Sequence, residues 1–200
     1  RPPAGPPQID GRLDDPVWAD ATKITSFVQS RPVEGAPATE QTDIWVAYDS
    51  QKLYFAVHAH YADPAVMRAN RADRDAIQND DTVAISFDPF LDRQRGYSFS
   101  VNGYGVQSDS LLGGVTGGSD LSWNVLFDSA GMIVDDGWTA EMAVPIQSLR
   151  YPSRGAGEAH RWGFQIQREI RGKDETVTWS PVSANIPGAL AQMGMLEGMR

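Results

Sequence analysis

The chain has 200 residues, 41% of them hydrophobic, and a formal net charge of −9 at pH 7. This length can bury one sizeable core, and all-β proteins of this size are commonly a single domain. Nucleic-acid binding draws most of its affinity from clustered Lys and Arg, so the acidic balance argues against nucleic acid as a partner. The absence of cysteine excludes disulfides and thiolate metal sites.

The first residues differ in composition from the rest of the chain. Four prolines lie within residues 1–8, which favours an extended, polyproline-like conformation. We expect residues 1–8 to be a lead or linker and residues 9–200 to form one domain. No apolar stretch approaches the roughly 20 residues of a membrane helix, and no signal-peptide pattern is present. We therefore expect no membrane insertion by this chain itself.

Short apolar-alternating runs separated by turn residues predict an all-β fold with two stacked antiparallel sheets, a jelly-roll-like β-sandwich. The predicted strands are 24–29, 42–48, 53–61, 82–88, 96–102, 106–111, 123–128, 132–135, 138–144, 161–170, 176–179 and 193–197. Proline at the first helical position predicts single helical turns at 16–21, 64–68 and 145–149.

Neutral polar residues alternate with apolar ones along several predicted strands. Ser98, Ser100 and Asn102 oppose an apolar row on one strand, and Gln165 and Gln167 do so on another. Since successive strand side chains point to opposite faces, one sheet is predicted to carry a Ser, Thr, Asn and Gln face. Such a face suits hydroxyl-rich ligands, although a merely solvated sheet exterior gives the same pattern.

Acidic residues concentrate before the strand 82–88. Asp73, Asp75, Asp80 and Asp81 could supply oxygen ligands to calcium, which takes six to eight of them. Interspersed arginines could instead satisfy these carboxylates as ion pairs. Structural calcium is therefore one hypothesis for this segment.

Two further clusters have weaker signals. His58 and His60 share a strand face, which could start a zinc site, but the sequence shows no third ligand with suitable spacing. Glu141 alternates with Trp138, Ala140 and Met142 and is predicted to face the polar side, as a ligand contact or a surface ion pair.

Known catalytic motifs are missing from the sequence. There is no serine-nucleophile elbow, phosphate loop or HExxH motif. A pair of glycosidase carboxylates cannot be judged from spacing alone, because it depends on a distance in space. We expect the chain not to be an enzyme.

Seven blocks in chain order carry a resemblance to the family 9 carbohydrate-binding modules. The blocks are Ile9-Asp10-Gly11 with Trp18, Tyr48-Asp49 with Leu53-Tyr54, Asp80-Asp81-Thr82-Val83 with Phe87-Asp88, Tyr97 with Phe99 and Asn102, Gly137-Trp138 with Glu141, Gly163-Phe164 with Gln167, and Trp179-Ser180 with Gly194. The resemblance implies a non-catalytic β-sandwich that binds polysaccharide or oligosaccharide and often carries structural calcium.

The blocks 74–109 and 136–151 resemble more narrowly the N-terminal domain of bacterial outer-membrane proteins of unassigned function. This likeness implies an extracytoplasmic location, in the periplasm, at the outer membrane or secreted. It also implies that the rest of an outer-membrane protein is a partner.

The sequence departs from the sugar-binding members of the family at the sugar clamp. One clamp tryptophan falls on Gln78, and the other falls between Trp179 and Gly194, where no aromatic residue occurs. A sugar-binding arginine falls on Ser100, while Asn102 and Gln167 stay on the family pattern. The predicted ligand-binding residues are Gln78, Ser100, Asn102, Glu141, Gln165 and Gln167.

Two functional hypotheses follow. The first is an accessory carbohydrate-binding domain of a larger surface or secreted protein, with a weakened site because the stacking aromatics are missing. The second is a structural or protein-docking periplasmic domain of an outer-membrane β-barrel protein.

Overall fold

The computed structural model describes residues 5–114, 117–153, 155 and 157–199. Their strands form two antiparallel sheets that pack on a shared core, as the sequence predicted. Of the predicted lead, residues 1–4 lie outside the described residues, and so does residue 200 of the predicted domain. No helix among the described residues has the length and apolarity needed to span a bilayer.

The strands are numbered β1 to β13 in chain order. The five-stranded sheet has, from edge to edge, β1 (Thr22–Ile24), β3 (Thr42–Tyr48), β4 (Lys52–His60), β10 (Gly137–Pro145) and β9 (Asp128–Val134). The eight-stranded sheet has β2 (Val28–Arg31), β12 (Glu175–Thr178), β11 (His160–Ile170), β5 (Thr82–Asp88), β6 (Arg95–Asn102), β7 (Gln107–Gly113) and β8 (Ser119–Asp120), with β13 (Gly194–Met199) also paired to β11.

The core lies between the two sheets and follows from strand alternation. Every second side chain of β5 points inward and is fully buried, as Val83, Ile85 and Phe87 show. Phe55 of the opposite sheet meets Phe87 with ring centroids 5.9 Å apart. Burying such side chains contributes about 1.5–3 kcal/mol each, so the alternating pattern fixes which face of each sheet turns inward.

The entry segment, residues 9–21, covers part of the outer face of the five-stranded sheet. Val17 and Trp18 pack on Tyr54 and Ala56 of β4, in a second apolar cluster separate from the main core. This segment contains the helix Val17–Asp20, which lies in the predicted range 16–21.

The prediction that Glu141 faces the polar side is wrong. It lies on β10 and is fully buried, not on a solvated polar side. Its Oε2 accepts the backbone N–H groups of Asp10 at 3.0 Å and Gly11 at 2.9 Å, so the carboxylate anchors the entry segment. Gly11 has φ +85°, and a Cβ there would lie 3.1 Å from the backbone of Gly131. Glycine thus lets the two backbones approach.

The predicted helical turns at 64–68 and 145–149 are short 3₁₀ helices, Pro64–Val66 and Ile146–Ser148. Two further 3₁₀ helices, Arg171–Lys173 and Ala189–Gln192, were not predicted from the sequence. Each spans only three or four residues, too short for a periodic apolar pattern to appear.

Two predicted strands differ from the structure. The range 24–29 is not one strand, because the chain leaves β1 in one sheet and enters β2 in the other. The range 123–128 does not pair with another strand before Asp128, because side chains form the hydrogen bonds with its backbone. Arg74 donates to the carbonyl of Val125 at 2.7 Å, and Asp109 accepts the Val125 N–H at 2.7 Å.

Candidate functional site

One side of the eight-stranded sheet carries a group of neutral polar side chains, which we call the polar face. Ser86, Ser100, Ser108 and Gln167 are partly exposed, whereas Ser98, Ser110, Gln165 and Thr178 are buried. Strand register places Gln165 beside Ser86 and Ser98, and Gln167 beside Ala84 and Ser100. The polar face consists of Ser86, Ser98, Ser100, Ser108, Ser110, Gln165, Gln167 and Thr178. It crosses from β12 over β11, β5 and β6 to β7, and its donors and acceptors suit sugar hydroxyl groups.

Ser100 and Gln167 are the two predicted ligand residues that the polar face leaves partly exposed. They lie on β6 and β11, with Ala84 of β5 between them. Neighbouring strands are about 4.8 Å apart, so their backbones are roughly 10 Å apart, comparable to the length of a disaccharide. Gln167 Nε2 donates to Glu169 Oε1 at 2.9 Å, which orients its amide along the strand.

Gln165 also belongs to the polar face, but its amide is used within the fold. Its Nε2 donates to the Ser180 carbonyl at 2.9 Å, and its Oε1 accepts the Ser180 N–H at 2.9 Å. Gln192 holds the far end of the same segment, since its Nε2 donates to the Ile186 carbonyl at 2.9 Å. The segment 180–192 is therefore fixed to β11 at the sheet.

Asn102 is sealed inside the protein rather than offered to a ligand. It is fully buried, and its Nδ2 donates to the Asn70 carbonyl at 2.8 Å and to Asp80 Oδ2 at 2.7 Å. Its Oδ1 accepts the N–H groups of Tyr104 and Val106, both at 3.0 Å. The donors and the acceptor of the Asn102 side chain are thus all occupied within the fold, so none is free for a sugar.

Gln78 is exposed on the segment that covers Asn102, and its amide bonds the Asp75 carbonyl of that segment. Of the six predicted ligand residues, the structure therefore brings Ser100, Gln165 and Gln167 together on the polar face. It places Asn102 beneath the covering segment and Glu141 in the other sheet.

Sequence reasoning missed three members of the polar face: Ser86, Ser108 and Ser110. Ser86 Oγ donates to Ser98 Oγ at 3.0 Å, across the β5 and β6 pair. The signal for Ser86 was present, since it stands between Ile85 and Phe87 in the predicted strand 82–88. Ser108 and Ser110 flank the polar Asp109 on β7, so no apolar alternation marked them in the sequence.

The four aspartates predicted for calcium do not form a cluster of oxygen ligands among the described residues. Asp80 accepts N–H groups from Asn70 and Asn102, so N–H donors occupy its lone pairs. Asp81 accepts the Tyr61 hydroxyl at 2.7 Å and the Arg171 N–H at 2.6 Å. Calcium requires carboxylate oxygens free of such donors. Calcium binding stays a prediction that needs rearrangement of this segment.

Asp75 and Asp73 behave differently from the buried pair. The carboxylate of Asp75 lies 3.8 Å from the Arg74 guanidinium, which also bonds the buried Asp109. This arrangement matches the alternative that arginines neutralise the acidic segment. Asp73 is exposed.

The structure brings a third candidate ligand to the histidine pair, which the sequence spacing did not reveal. Asp136 lies 2.9 Å from His58 Nε2 and 2.7 Å from His60 Nδ1. Among the described residues, His58, His60 and Asp136 are the one group in which at least three candidate metal ligands converge.

Comparison with known proteins agrees with this architecture. Residues 9–185 match the family model described as carbohydrate family 9 binding domain-like. No curated protein has a sequence that matches this chain.

Solved structures share the fold at low identity. A family 9 carbohydrate-binding module from Caldicellulosiruptor kristjanssonii, solved with cellotriose, is 19% identical, with a TM-score of 0.68 over 98% of this chain and 91% of that one. The same module with glucose gives the same identity and score over 98% and 93%. A candidate carbohydrate-binding protein from Bacteroides uniformis is 14% identical, with a TM-score of 0.69 over 90% and 87%.

The family match spans most of the chain and agrees with the two-sheet fold. The chain therefore belongs to the carbohydrate family 9 binding domain-like family, whose domains are non-catalytic binding modules, and this confirms the prediction that it is not an enzyme.

Proposed function

We propose that this domain binds a neutral oligosaccharide on the polar face with low affinity. The observation that carries the proposal is the row Gln167, Ala84, Ser100 and Ser108 on four adjacent strands, in which three of the four side chains carry a hydroxyl or amide group. The row itself contains no charged side chain, and the adjacent Glu169 carboxylate is already bonded to Gln167 and paired with Arg31 and Arg171. A sugar can therefore exchange water hydrogen bonds for protein ones with little desolvation of charge.

The composition of the polar face explains why affinity should be low. The face consists of Ser, Thr and Gln side chains, with Ala84 between Gln167 and Ser100, and none of these side chains is aromatic. The clamp positions hold Gln78 and the segment 180–192, which also has no aromatic residue. Losing two stacking rings, each worth on the order of 1–2 kcal/mol, weakens binding roughly 30-fold to 1,000-fold, which takes a micromolar affinity toward millimolar.

A sugar titration followed by NMR tests the proposal, because chemical-shift changes report millimolar binding residue by residue. Cellotriose and glucose are the first ligands to try, since the Caldicellulosiruptor module is solved with both. We expect shifts at Ser100 and Gln167 that weaken in Gln167→Ala. Gln147→Ala is the matched control, because Gln147 is exposed in the helix Ile146–Ser148, away from this sheet. Shifts absent at several tens of millimolar sugar, or unchanged in Gln167→Ala, would contradict the proposal.

We further propose that the domain is an accessory part of a larger extracytoplasmic protein. Domains of this family are typically extracellular parts of carbohydrate-active proteins. The likeness of 74–109 and 136–151 to the N-terminal domain of outer-membrane proteins supports an outer-membrane partner. Cell fractionation of the full-length gene product tests the location, and recovery in the cytoplasm would argue against it.

A protein-docking role is the second candidate, favoured by the internal use of Asn102 and Gln165. If the polar face docks on the rest of a longer protein, the backbone amides of its strands should exchange hydrogen more slowly in the longer protein than in this domain alone. Equal exchange at Ser98 and Ser100 in both contexts would leave the sugar-binding role as the better explanation.

A further inference from the structure

Two histidines and one aspartate converge on the outer face of the five-stranded sheet. His58 and His60 are two residues apart on β4, and their rings stack with centroids 3.7 Å apart. Asp136 closes the turn before β10, where Gly137 pairs with His60. The ladder therefore holds the three side chains together across 76 residues of sequence.

Both imidazole rings contact the same carboxylate, that of Asp136. Asp136 Oδ1 lies 2.9 Å from His58 Nε2, and its Oδ2 lies 2.7 Å from His60 Nδ1. The ligand atoms of the three residues lie within 4.8 Å of one another. A shared hydrogen-bond acceptor and a shared metal ion both require such convergence.

The second nitrogen of His60 has no hydrogen-bond partner, which shows that the shared acceptor alone does not satisfy this ring. His60 Nε2 is buried, has no hydrogen-bond partner and faces Asp43 Oδ2 at 3.5 Å. A neutral imidazole carries one N–H and one lone pair. If a neutral ring has its proton on Nδ1 for Asp136, the lone pair of Nε2 faces the Asp43 carboxylate, which is unfavourable. Two arrangements relieve this contact: an imidazolium with an N–H on each nitrogen, or a metal ion on Nδ1, which leaves the proton on Nε2 for Asp43.

Asp43 is itself held in place for this role. Its Oδ2 pairs with Lys23 Nζ at 2.9 Å, and its Oδ1 accepts from Gln41 Nε2 at 3.0 Å. A carboxylate behind the second nitrogen of a ligating histidine is a recurrent feature of metal sites, where it orients the ring and raises its basicity.

We propose that His58, His60 and Asp136 form a site for one divalent transition-metal ion of the zinc type, with Asp43 positioning His60. Two imidazole nitrogens and one carboxylate oxygen form a ligand set that Zn²⁺ accepts, leaving a fourth position open. Calcium and magnesium prefer oxygen ligands alone.

The site can admit an ion with small side-chain movements. Zinc bonds of about 2.0–2.2 Å place tetrahedral ligand atoms roughly 3.3–3.6 Å apart, so the two contacts of Asp136 must open slightly. Asp136 lies in an exposed turn with 53% of its side chain accessible, and the histidine side chains are 24% accessible. Solvent can therefore supply the fourth ligand. The site lies on the opposite sheet from the polar face, so it does not depend on the proposed sugar binding.

Zinc titration of the chain, prepared without a histidine tag, tests the proposal by calorimetry at about pH 7.5, where an unperturbed histidine is neutral. We expect one ion per chain. His58→Gln, His60→Gln and Asp136→Asn should each reduce the affinity at least tenfold. Asp43→Asn should reduce it roughly 10-fold to 100-fold, the usual effect of removing such a supporting carboxylate.

His160→Gln is the matched control, because His160 is the third histidine of the chain and lies outside the cluster. It should bind zinc as the parent chain does, and a tenfold excess of Ca²⁺ should not displace the ion. Circular dichroism of each variant verifies the fold. Asp136→Asn is the most informative variant, because Asp136 lies in an exposed turn and its substitution should leave the fold intact. If the parent chain does not bind zinc, the three residues form a hydrogen-bonded triad only and the proposal is wrong. Unchanged zinc affinity in Asp136→Asn would also overturn the proposal.

Discussion

Trp18 donates its indole N–H to Glu141 Oε1 at 2.9 Å, across 123 residues of sequence. The other carboxylate oxygen accepts the backbone N–H groups of Asp10 and Gly11. One buried carboxylate therefore accepts three donors and holds the entry segment on the outer face of the five-stranded sheet.

Glu141→Gln should destabilise the fold by about 1–3 kcal/mol, because one amide oxygen cannot accept from both sides and a buried N–H loses its partner. Urea denaturation measures the change. Glu197→Gln is the control, since Glu197 forms an exposed pair with Arg161, and it should change stability by less than about 0.5 kcal/mol. An equal effect of the two substitutions would contradict the anchoring role.

The pH dependence of stability should carry the signature of Glu141. Burial raises the pKa of Glu141 above its ordinary value of 4.5, despite the hydrogen bonds that oppose the shift. A raised pKa means that the folded state binds the proton more tightly, so this contribution is full below about pH 4.5 and is lost as pH rises through the raised pKa. The stability of the parent relative to Glu141→Gln should therefore fall as pH rises above about 4.5. A difference that stays constant as pH rises above about 4.5 would contradict it.

Tyr61→Phe should cost about 1–2 kcal/mol, because the Tyr61 hydroxyl donates to Asp81 at 2.7 Å in a buried position. Burial raises the pKa of Tyr61 from 10.0 to about 12. Its contribution is full below pH 10.0 and is lost as pH rises through about 12. Alkaline unfolding followed by fluorescence should show a steeper loss in the parent than in Tyr61→Phe, and parallel curves would refute this assignment.

Arg168→Lys should destabilise the fold by about 3–5 kcal/mol, although the charge is kept. The Arg168 guanidinium is fully buried and donates to the carbonyls of Gln41 at 2.7 Å and His60 at 2.8 Å, which joins β11 to the opposite sheet. A single ammonium cannot reach all these acceptors. Arg161→Lys, exposed on the same strand, is the control. Thermal or urea unfolding that treats the two alike would contradict this role.

Gln78→Trp should increase affinity for cellotriose about tenfold, since a stacking ring adds on the order of 1–1.5 kcal/mol. Gln78 is exposed, so the substitution should leave the fold intact. Calorimetry measures the change, and Gln147→Trp controls for nonspecific binding to an added ring. Affinity unchanged from the parent would mean that Gln78 does not border the sugar site.

The sequence predicted well where local alternation decides the structure. The strand Thr82–Asp88 has the predicted bounds, because each second residue is apolar and buried. The range 123–128 was wrong because Arg74 and Asp109, distant in sequence, take the backbone groups of Val125.

Predictions for the candidate site failed where a distant segment intervenes. Alternation placed Asn102 on the correct side of its strand, but the segment carrying Asn70 and Asp80 covers it. Asp136 joined the histidine pair only through the β4 and β10 ladder, which no spacing in the sequence reveals.

The anchoring of the segment 180–192 has an evolutionary consequence. Gln165 fixes the start of this segment to the sheet, and Gln192 bonds back to Ser183 and Ile186 within it. The exposed residues between these anchors can be exchanged without disturbing the strands below. Related sequences could thus acquire or discard aromatic rings there and change their ligand preference while retaining the scaffold.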